Sequence, residues 1–89
     1  MRDQTDLRTA VIRVLRESQS LPQEEPIGSD TRLLKAGLGL DSVAVLEFVI
    51  ALEAEFDCQI DDDEMAPRWF ATVSAVMELM EKKLSAGGA

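Results

Sequence analysis

The chain has 89 residues, a length that suits one small domain and makes large pockets or a multi-part active site unexpected. Its 17 acidic and nine basic residues give a formal net charge of -8, which would repel nucleic acid and anionic membranes and favours a basic protein partner. Aromatic residues make up only 4% of the chain, while Ala, Leu, Val and Glu are abundant, so the composition favours an all-helical fold.

The cysteine content and the N-terminal segment indicate the cellular setting. Cys58 has no second cysteine to pair with, so an internal disulfide framework is excluded. The first residues are charged rather than apolar, so neither a signal peptide nor a membrane span is expected. We therefore expect a cytoplasmic protein, and a monomer.

A first helix is predicted from about Thr5, because apolar residues recur at helical spacing on one side and charged residues lie on the other. Thr5 or Asp6 is the expected cap. The predicted buried stripe consists of Leu7, Val11, Val14, Leu15 and Ser18.

A long loop is predicted next, because prolines and glycines interrupt the pattern from Pro22 to Gly39. A connection this long in a small domain usually has a function. Within it, "SDTRLLKAG" is compatible with a short helical turn that Asp30 caps and Gly37 ends. Four leucines are expected to pin the loop to the core: Leu33, Leu34, Leu38 and Leu40.

The second predicted helix, from about Ser42 to Phe56, is apolar on two sides. The stripe expected to pack on the core is Val45, Phe48, Val49, Leu52 and Phe56. The opposite side carries Val43, Leu46 and Ile50, flanked by Glu47, Glu53 and Ala54. Such a helix is either buried all round or carries a partner-binding surface. Full burial would need more elements than the chain has, so we favour a partner surface; the alternative is that the long loop covers Leu46 and Ile50.

The segment "DCQIDDDEMAP" is expected to point Ile60 inward and then to form a short helix that ends near Pro67. The acidic run at Asp61, Asp62 and Asp63 suits the positive end of that helix. The alternative, a calcium loop, requires alternating ligands, a glycine at the sixth position and a later glutamate, and this layout is absent, so no metal site is predicted.

A last helix is predicted from about Thr72, followed by a flexible tail over 85–89. Its expected buried residues are Val73, Val76, Met77, Met80 and Leu84. The fold class predicted for the whole chain is therefore a small all-α bundle of three longer helices and one short helix, with a single domain whose core spans about 5–84.

Ser42 raises the question of function, because it follows Asp41 where the glycine-containing loop meets the second helix. The chain has no histidine, which excludes a Ser/His/Asp triad and histidine-ligated metals, and the nucleophile elbow pattern is also absent. Asp41 or Ser42 is expected to cap the helix. A phosphate ester on Ser42 would meet the positive end of the helix dipole and unpaired backbone amides.

The residues "GLDSV", followed by "VLEFVIALEAEF" and an acidic segment, resemble the acyl carrier protein family over essentially the whole chain. The resemblance implies a non-catalytic carrier in which Ser42 accepts 4'-phosphopantetheine from coenzyme A through a phosphopantetheinyl transferase. The thiol of the arm would carry cargo as a thioester to ketosynthase-type or other enzymes with basic docking surfaces. By matching positions, the recognition face would be Asp41, Val43, Leu46, Glu47, Ile50 and Glu53.

Some positions depart from the pattern of that family. Val43 replaces the usual leucine after the serine, and Ala44 and Ala54 stand where many fatty-acid carriers have acids. These changes favour polyketide or other specialised acyl cargo over primary fatty-acid synthesis. "PRWFATV" also resembles carriers of D-alanine or other amino acids, so an aminoacyl or peptidyl carrier remains an alternative. A different class, an unmodified acidic helical adaptor, also stays open.

Overall fold

The computed structural model describes residues 4–34 and 37–87, which form three α-helices and no β-strand. A loop over 20–41 joins the first two helices, and a segment over 57–72 with two 3₁₀ turns joins the last two. The helices are α1 (Gln4–Gln19), α2 (Ser42–Phe56) and α3 (Val73–Gly87), and the turns are Asp62–Glu64 and Pro67–Trp69. The all-helical expectation is confirmed, although the predicted fourth helix consists only of these turns.

The core lies between the three helices and follows the predicted periodicity closely. α1 buries Leu7, Val11, Val14 and Leu15; α2 buries Phe48, Val49, Leu52 and Phe56; α3 buries Val73, Val76, Leu79 and Met80. Val45, Met77 and Leu84 are half-buried at the edge of the core. Phe48 and Phe70 meet edge to face, with their ring centroids 6.4 Å apart, which is a favourable aromatic geometry. Ile60 is buried, as the sequence predicts.

The loop over 20–41 is fixed by contacts with the start of α3, and the expected helical turn is absent from its described residues. Instead, Arg32 forms an isolated antiparallel bridge with Thr72. The Leu33 amide donates to the Ala71 carbonyl over 3.0 Å, so the backbone is already hydrogen-bonded in an extended form. Gly37 approaches the Arg32 carbonyl so closely that a Cβ atom would overlap it.

The four leucines of this loop pack against the core, as the sequence predicts. Leu33 and Leu40 are buried, while Leu34 and Leu38 pack partly buried against the core. The full burial of two leucines and the partial burial of the other two offset part of the conformational entropy lost when a long loop is ordered.

The ends of the helices differ in part from the expectation. Thr5 and Asp6 lie inside α1, so neither is its cap, which falls outside the described residues. Thr72 caps α3, since its Oγ1 accepts a hydrogen bond from the Ala75 amide over 3.1 Å. α3 continues through Gly87, so residues 85–87 of the predicted tail are helical, and residues 88 and 89 lie outside the described part.

The outer side of α2 is exposed. Val43, Leu46 and Ile50 are 66%, 48% and 57% exposed, so the long loop does not cover them. α2 therefore has one apolar side in the core and a second one at the surface. None of the helices in the described residues is long and apolar enough to cross a membrane.

The two sides of α2 should respond differently to truncation. Leu52→Ala removes a fully buried side chain and should lower the free energy of unfolding by about 2 to 5 kcal/mol. Ile50→Ala removes an exposed side chain and should change it by less than about 0.5 kcal/mol. Urea unfolding followed by circular dichroism measures both. Equal destabilisation by the two variants would show that Ile50 belongs to the core.

Candidate functional site

The backbone at the start of α2 decides which of Asp41 and Ser42 is the cap. Gly39 has a φ of 76°, a left-handed conformation that glycine adopts without strain, and the chain then becomes extended at Asp41. The Asp41 Oδ1 accepts a hydrogen bond from the Ala44 amide over 2.8 Å. Asp41 is therefore the N-cap, and Ser42 is the first helical residue, with an exposed side chain.

The first turn of α2 leaves room for an anion beside Ser42. Asp41 accepts hydrogen bonds from two amides of this turn, those of Ala44 and Val45. The amides of Ser42 and Val43 have no acceptor among the described residues. These unpaired amides form part of the positive end of the helix dipole, where a phosphate ester on the serine oxygen is favoured. The site thus fits a phosphate-linked group.

An open, mostly apolar cleft of about 680 Å³ begins at Ser42. Sequence reasoning did not anticipate a space of this size in so small a chain. The lining residues come from three parts of the chain: Leu34, Gly39, Leu40, Asp41, Ser42, Val45, Met65, Pro67 and Phe70. A chain attached to the Ser42 oxygen could lie in this cleft with its apolar part out of water.

Two side-chain contacts join α1 to α2, one of them in the turn that contains Ser42. The Gln19 side-chain amide donates to the Ala44 carbonyl over 3.1 Å, within the first turn of α2. At the other end, the Arg13 guanidinium lies 2.6 Å from a Glu55 carboxylate oxygen. This hydrogen bond and the charge of Glu55 raise the pKa of Arg13. Neither contact was predicted, because pairs from different helices have no signal in local spacing.

The surface next to Ser42 contains most of the residues expected to bind partners. Val43, Leu46, Glu47 and Ile50 are exposed along α2. Glu53 differs, because it is half-buried and its Oε2 accepts a hydrogen bond from the Ile60 amide over 2.8 Å. The first four residues form a continuous outer face on one helix, whereas Glu53 also supports the fold.

The acidic run after α2 forms a cap, as the dipole argument predicts. The Asp61 amide donates to Glu64 Oε1 over 2.9 Å across the first 3₁₀ turn, and Lys83 Nζ lies 2.6 Å from the same oxygen. The hydrogen bond from Lys83 holds the pKa of Glu64 below its ordinary value. Carboxylate oxygens of Asp61, Asp63 and Glu64 lie within 4.8 Å of one another, and two of these residues, Asp61 and Glu64, take part in the cap.

Cys58 is at the far end of α2 from Ser42. The helix has 15 residues, so its ends are about 22 Å apart. Cys58 is half-buried, and burial raises the pKa of its thiol, which lowers the fraction of reactive thiolate at neutral pH. This thiol is poorly suited to carry cargo.

A helical domain that presents an exposed serine at a helix N-terminus, beside an apolar cleft and without a histidine, has the form of a carrier of an attached group. Comparison with known families supports this class. A family described as "Phosphopantetheine attachment site" matches residues 5–80. The chain belongs to this family of phosphopantetheine-binding carrier proteins, whose domain is the site of covalently attached 4'-phosphopantetheine.

Individual relatives include carriers of two kinds. The chain is 28% identical over 76 residues to acyl carrier protein AsbD of Bacillus anthracis, covering 85% of this chain and 82% of that protein. It is 32% identical over 79 residues to aminoacyl carrier protein 2 of Bradyrhizobium diazoefficiens, covering 84% and 86%. It is 30% identical over 76 residues to a chloroplastic acyl carrier protein of Brassica napus, covering 85% of this chain and 54% of that protein.

Replacing the thiol should leave carrier loading unchanged. We expect Cys58→Ser to accept cargo on the modified protein at the rate of the unsubstituted chain, because the thiol is half-buried and distant from Ser42. Intact mass after loading gives the measurement. Lost loading in a variant that keeps its helical circular dichroism spectrum would assign the cargo to Cys58.

Proposed function

We propose that this protein is an acyl carrier protein that carries acyl groups as thioesters on a 4'-phosphopantetheine arm attached to Ser42. The observation that carries the proposal is the exposed Ser42 hydroxyl at the start of α2, which opens onto an apolar cleft. Membership of the family supports the arm, and the position of the serine supports the attachment point. The protein itself performs no catalysis, and partner enzymes of the cytoplasm supply the chemistry.

The residues around Ser42 prepare it for this role. Asp41 fixes the start of α2, so the serine oxygen stays outside the bundle rather than bonding to an amide. The amides of Ser42 and Val43 are placed to stabilise a phosphate there. When bound, the arm supplies a thiol that holds cargo as a thioester. Tethering then replaces free diffusion with a high local concentration of cargo at each partner.

The cleft supports acyl cargo rather than charged cargo. Its surface near Ser42 is formed largely by apolar side chains such as Leu40, Val45, Met65 and Phe70. A charged amino group would lose hydration among these side chains, and the one carboxylate among the described lining residues, Asp41, already accepts a hydrogen bond from the Ala44 amide. Val43, together with the alanines at 44 and 54, favours polyketide or other specialised acyl groups. An aminoacyl, peptidyl or D-alanyl carrier is the second candidate, because one relative is named as an aminoacyl carrier.

The outer face of α2 is proposed as the surface that partner enzymes recognise, and its partners include a phosphopantetheinyl transferase. Leu46 and Ile50 supply exposed apolar contact area, and Glu47 supplies an exposed charge. The net charge of -8 attracts a basic surface. An unmodified adaptor could use the same face, and only the modification of Ser42 separates the two functions.

Modification should occur at Ser42 alone. We expect the chain to gain one phosphopantetheine when incubated with a phosphopantetheinyl transferase and coenzyme A, and Ser42→Ala to abolish this gain in intact mass. Folding should be retained, because Asp41 provides the cap. Ser74→Ala is the matched control, since Ser74 is an exposed serine in the first turn of α3. Modification that persists in Ser42→Ala would refute the assignment.

The charge and the apolar area of the α2 face should have separable effects on modification. Glu47→Lys should slow the transferase, with an effect that shrinks at high salt, because exposed charges are screened over about 10 Å at 0.1 M ionic strength. Ile50→Ala should lower kcat/KM about fivefold with little dependence on salt, as expected for about 1 kcal/mol of lost contact.

Glu81→Lys is the control for this experiment, because it makes the same change of charge at an exposed position on α3. Steady-state rates at low and high salt provide the comparison. Equal slowing by Glu47→Lys and Glu81→Lys would show that only the net charge matters and that α2 is not the docking face.

A further inference from the structure

One wall of the cleft is formed by residues 60–70, which lie in the segment between α2 and α3. Met65 and Pro67 from this segment line the cleft, as does Ser42. Between the buried residues Ile60 and Phe70, no side chain is fully buried. Met65 and Trp69 pack against the core but are only partly buried, so full apolar burial anchors this wall only at its two ends.

Backbone hydrogen bonds do not tie the wall to the helices. Within the described part of the chain, the amides at positions 61–69 that donate to backbone carbonyls reach only carbonyls of the same segment, as Met65 does to Asp62 over 3.1 Å. Segments held by few buried contacts and only local hydrogen bonds open at low free energy, so other interactions must keep the wall in place.

Two carboxylates provide those interactions. Glu53 of α2 accepts a hydrogen bond from the Ile60 amide over 2.8 Å. Glu64 accepts one from the Asp61 amide over 2.9 Å and is paired with Lys83 of α3 over 2.6 Å. The side chains of Lys83 and Glu64 are only 15% and 18% exposed, so solvent screens this pair less than it screens a surface pair.

We propose that Glu64 and Lys83 are positioning residues whose pair holds the wall over 60–70 closed and so shelters from water a chain attached to Ser42. The sheltering of an attached chain rests on the proposed carrier function. The closing of the wall does not, and it can be tested on the unmodified protein. Loss of Lys83 leaves the Glu64 charge partly buried without its partner, which favours a wall that has moved out into water.

The first test measures amide hydrogen exchange in the unmodified protein. Lys83→Met is expected to speed exchange of the Asp61 and Met65 amides about tenfold, the change that corresponds to loss of one hydrogen bond to a charged group. The Val49 amide in α2 should keep its rate, because opening of the wall leaves the core intact. Lys83→Arg should restore slow exchange by supplying another cation.

Arg8→Met is the matched control, because it removes one positive charge from an exposed side chain of α1, a helix that supplies no described residue to the cleft or to the two carboxylate contacts. It should leave the Asp61 and Met65 amides within about twofold of their original rates. Unchanged exchange at both amides in Lys83→Met would overturn the proposal. Equal acceleration at Val49 would also overturn it, because the pair would then contribute only to the stability of the whole fold.

The second test uses protein modified at Ser42 and loaded with an octanoyl thioester. Cleavage of the thioester by hydroxylamine should be faster in Lys83→Met than in Arg8→Met. Equal cleavage rates, with faster exchange in Lys83→Met, would show that the wall does not shelter the chain. Failure of the carrier function itself would be seen separately, as the absence of any modification at Ser42.

Discussion

The hydrogen bond from the Ala44 amide to Asp41 Oδ1 decides where α2 begins, and the rest of the site depends on that boundary. Because Asp41 occupies the cap, Ser42 becomes the first helical residue and its hydroxyl remains exposed. If the helix began one residue later, Ser42 would take the cap position and its oxygen would accept a hydrogen bond from an amide. The left-handed turn at Gly39 leads the chain through the buried Leu40 into this arrangement.

The small number of helices explains why α2 can serve both the core and a partner. In the described part of the chain, α1 and residues such as Phe70 cover one side of α2, and no element covers the side with Leu46 and Ile50. An exposed apolar face would favour self-association in a neutral protein. The net charge of -8 opposes contact between two copies and favours a basic partner, so charge and apolar area together select what binds there.

Local periodicity predicted the elements whose burial depends on their own sequence. The stripes of α1 and α2 are examples, because a spacing of three and four residues places those side chains on one face whatever the rest of the chain does. The loop around Arg32 was misjudged for the opposite reason. Its extended form depends on a bridge with Thr72, which is 40 positions further along, and this pairing overrides the local preference for a helical turn. The cleft was missed because Leu40, Met65 and Phe70 each resemble ordinary core residues until the fold brings them together.

The roles of the charged residues could not be predicted from local sequence either. The role of a charged side chain depends on its partner and not on its position along a helix. Glu47 and Glu53 both flank the outer apolar face of α2, yet Glu47 is exposed and Glu53 accepts a hydrogen bond from the Ile60 amide. Glu64 is paired with Lys83, and Glu55 with Arg13. The charge available to a partner is therefore not spread evenly over the acidic residues. It is largest where a carboxylate is exposed and has no cation beside it, and Glu47 meets that condition within one helical turn of Leu46 and Ile50, on the face that continues from Ser42.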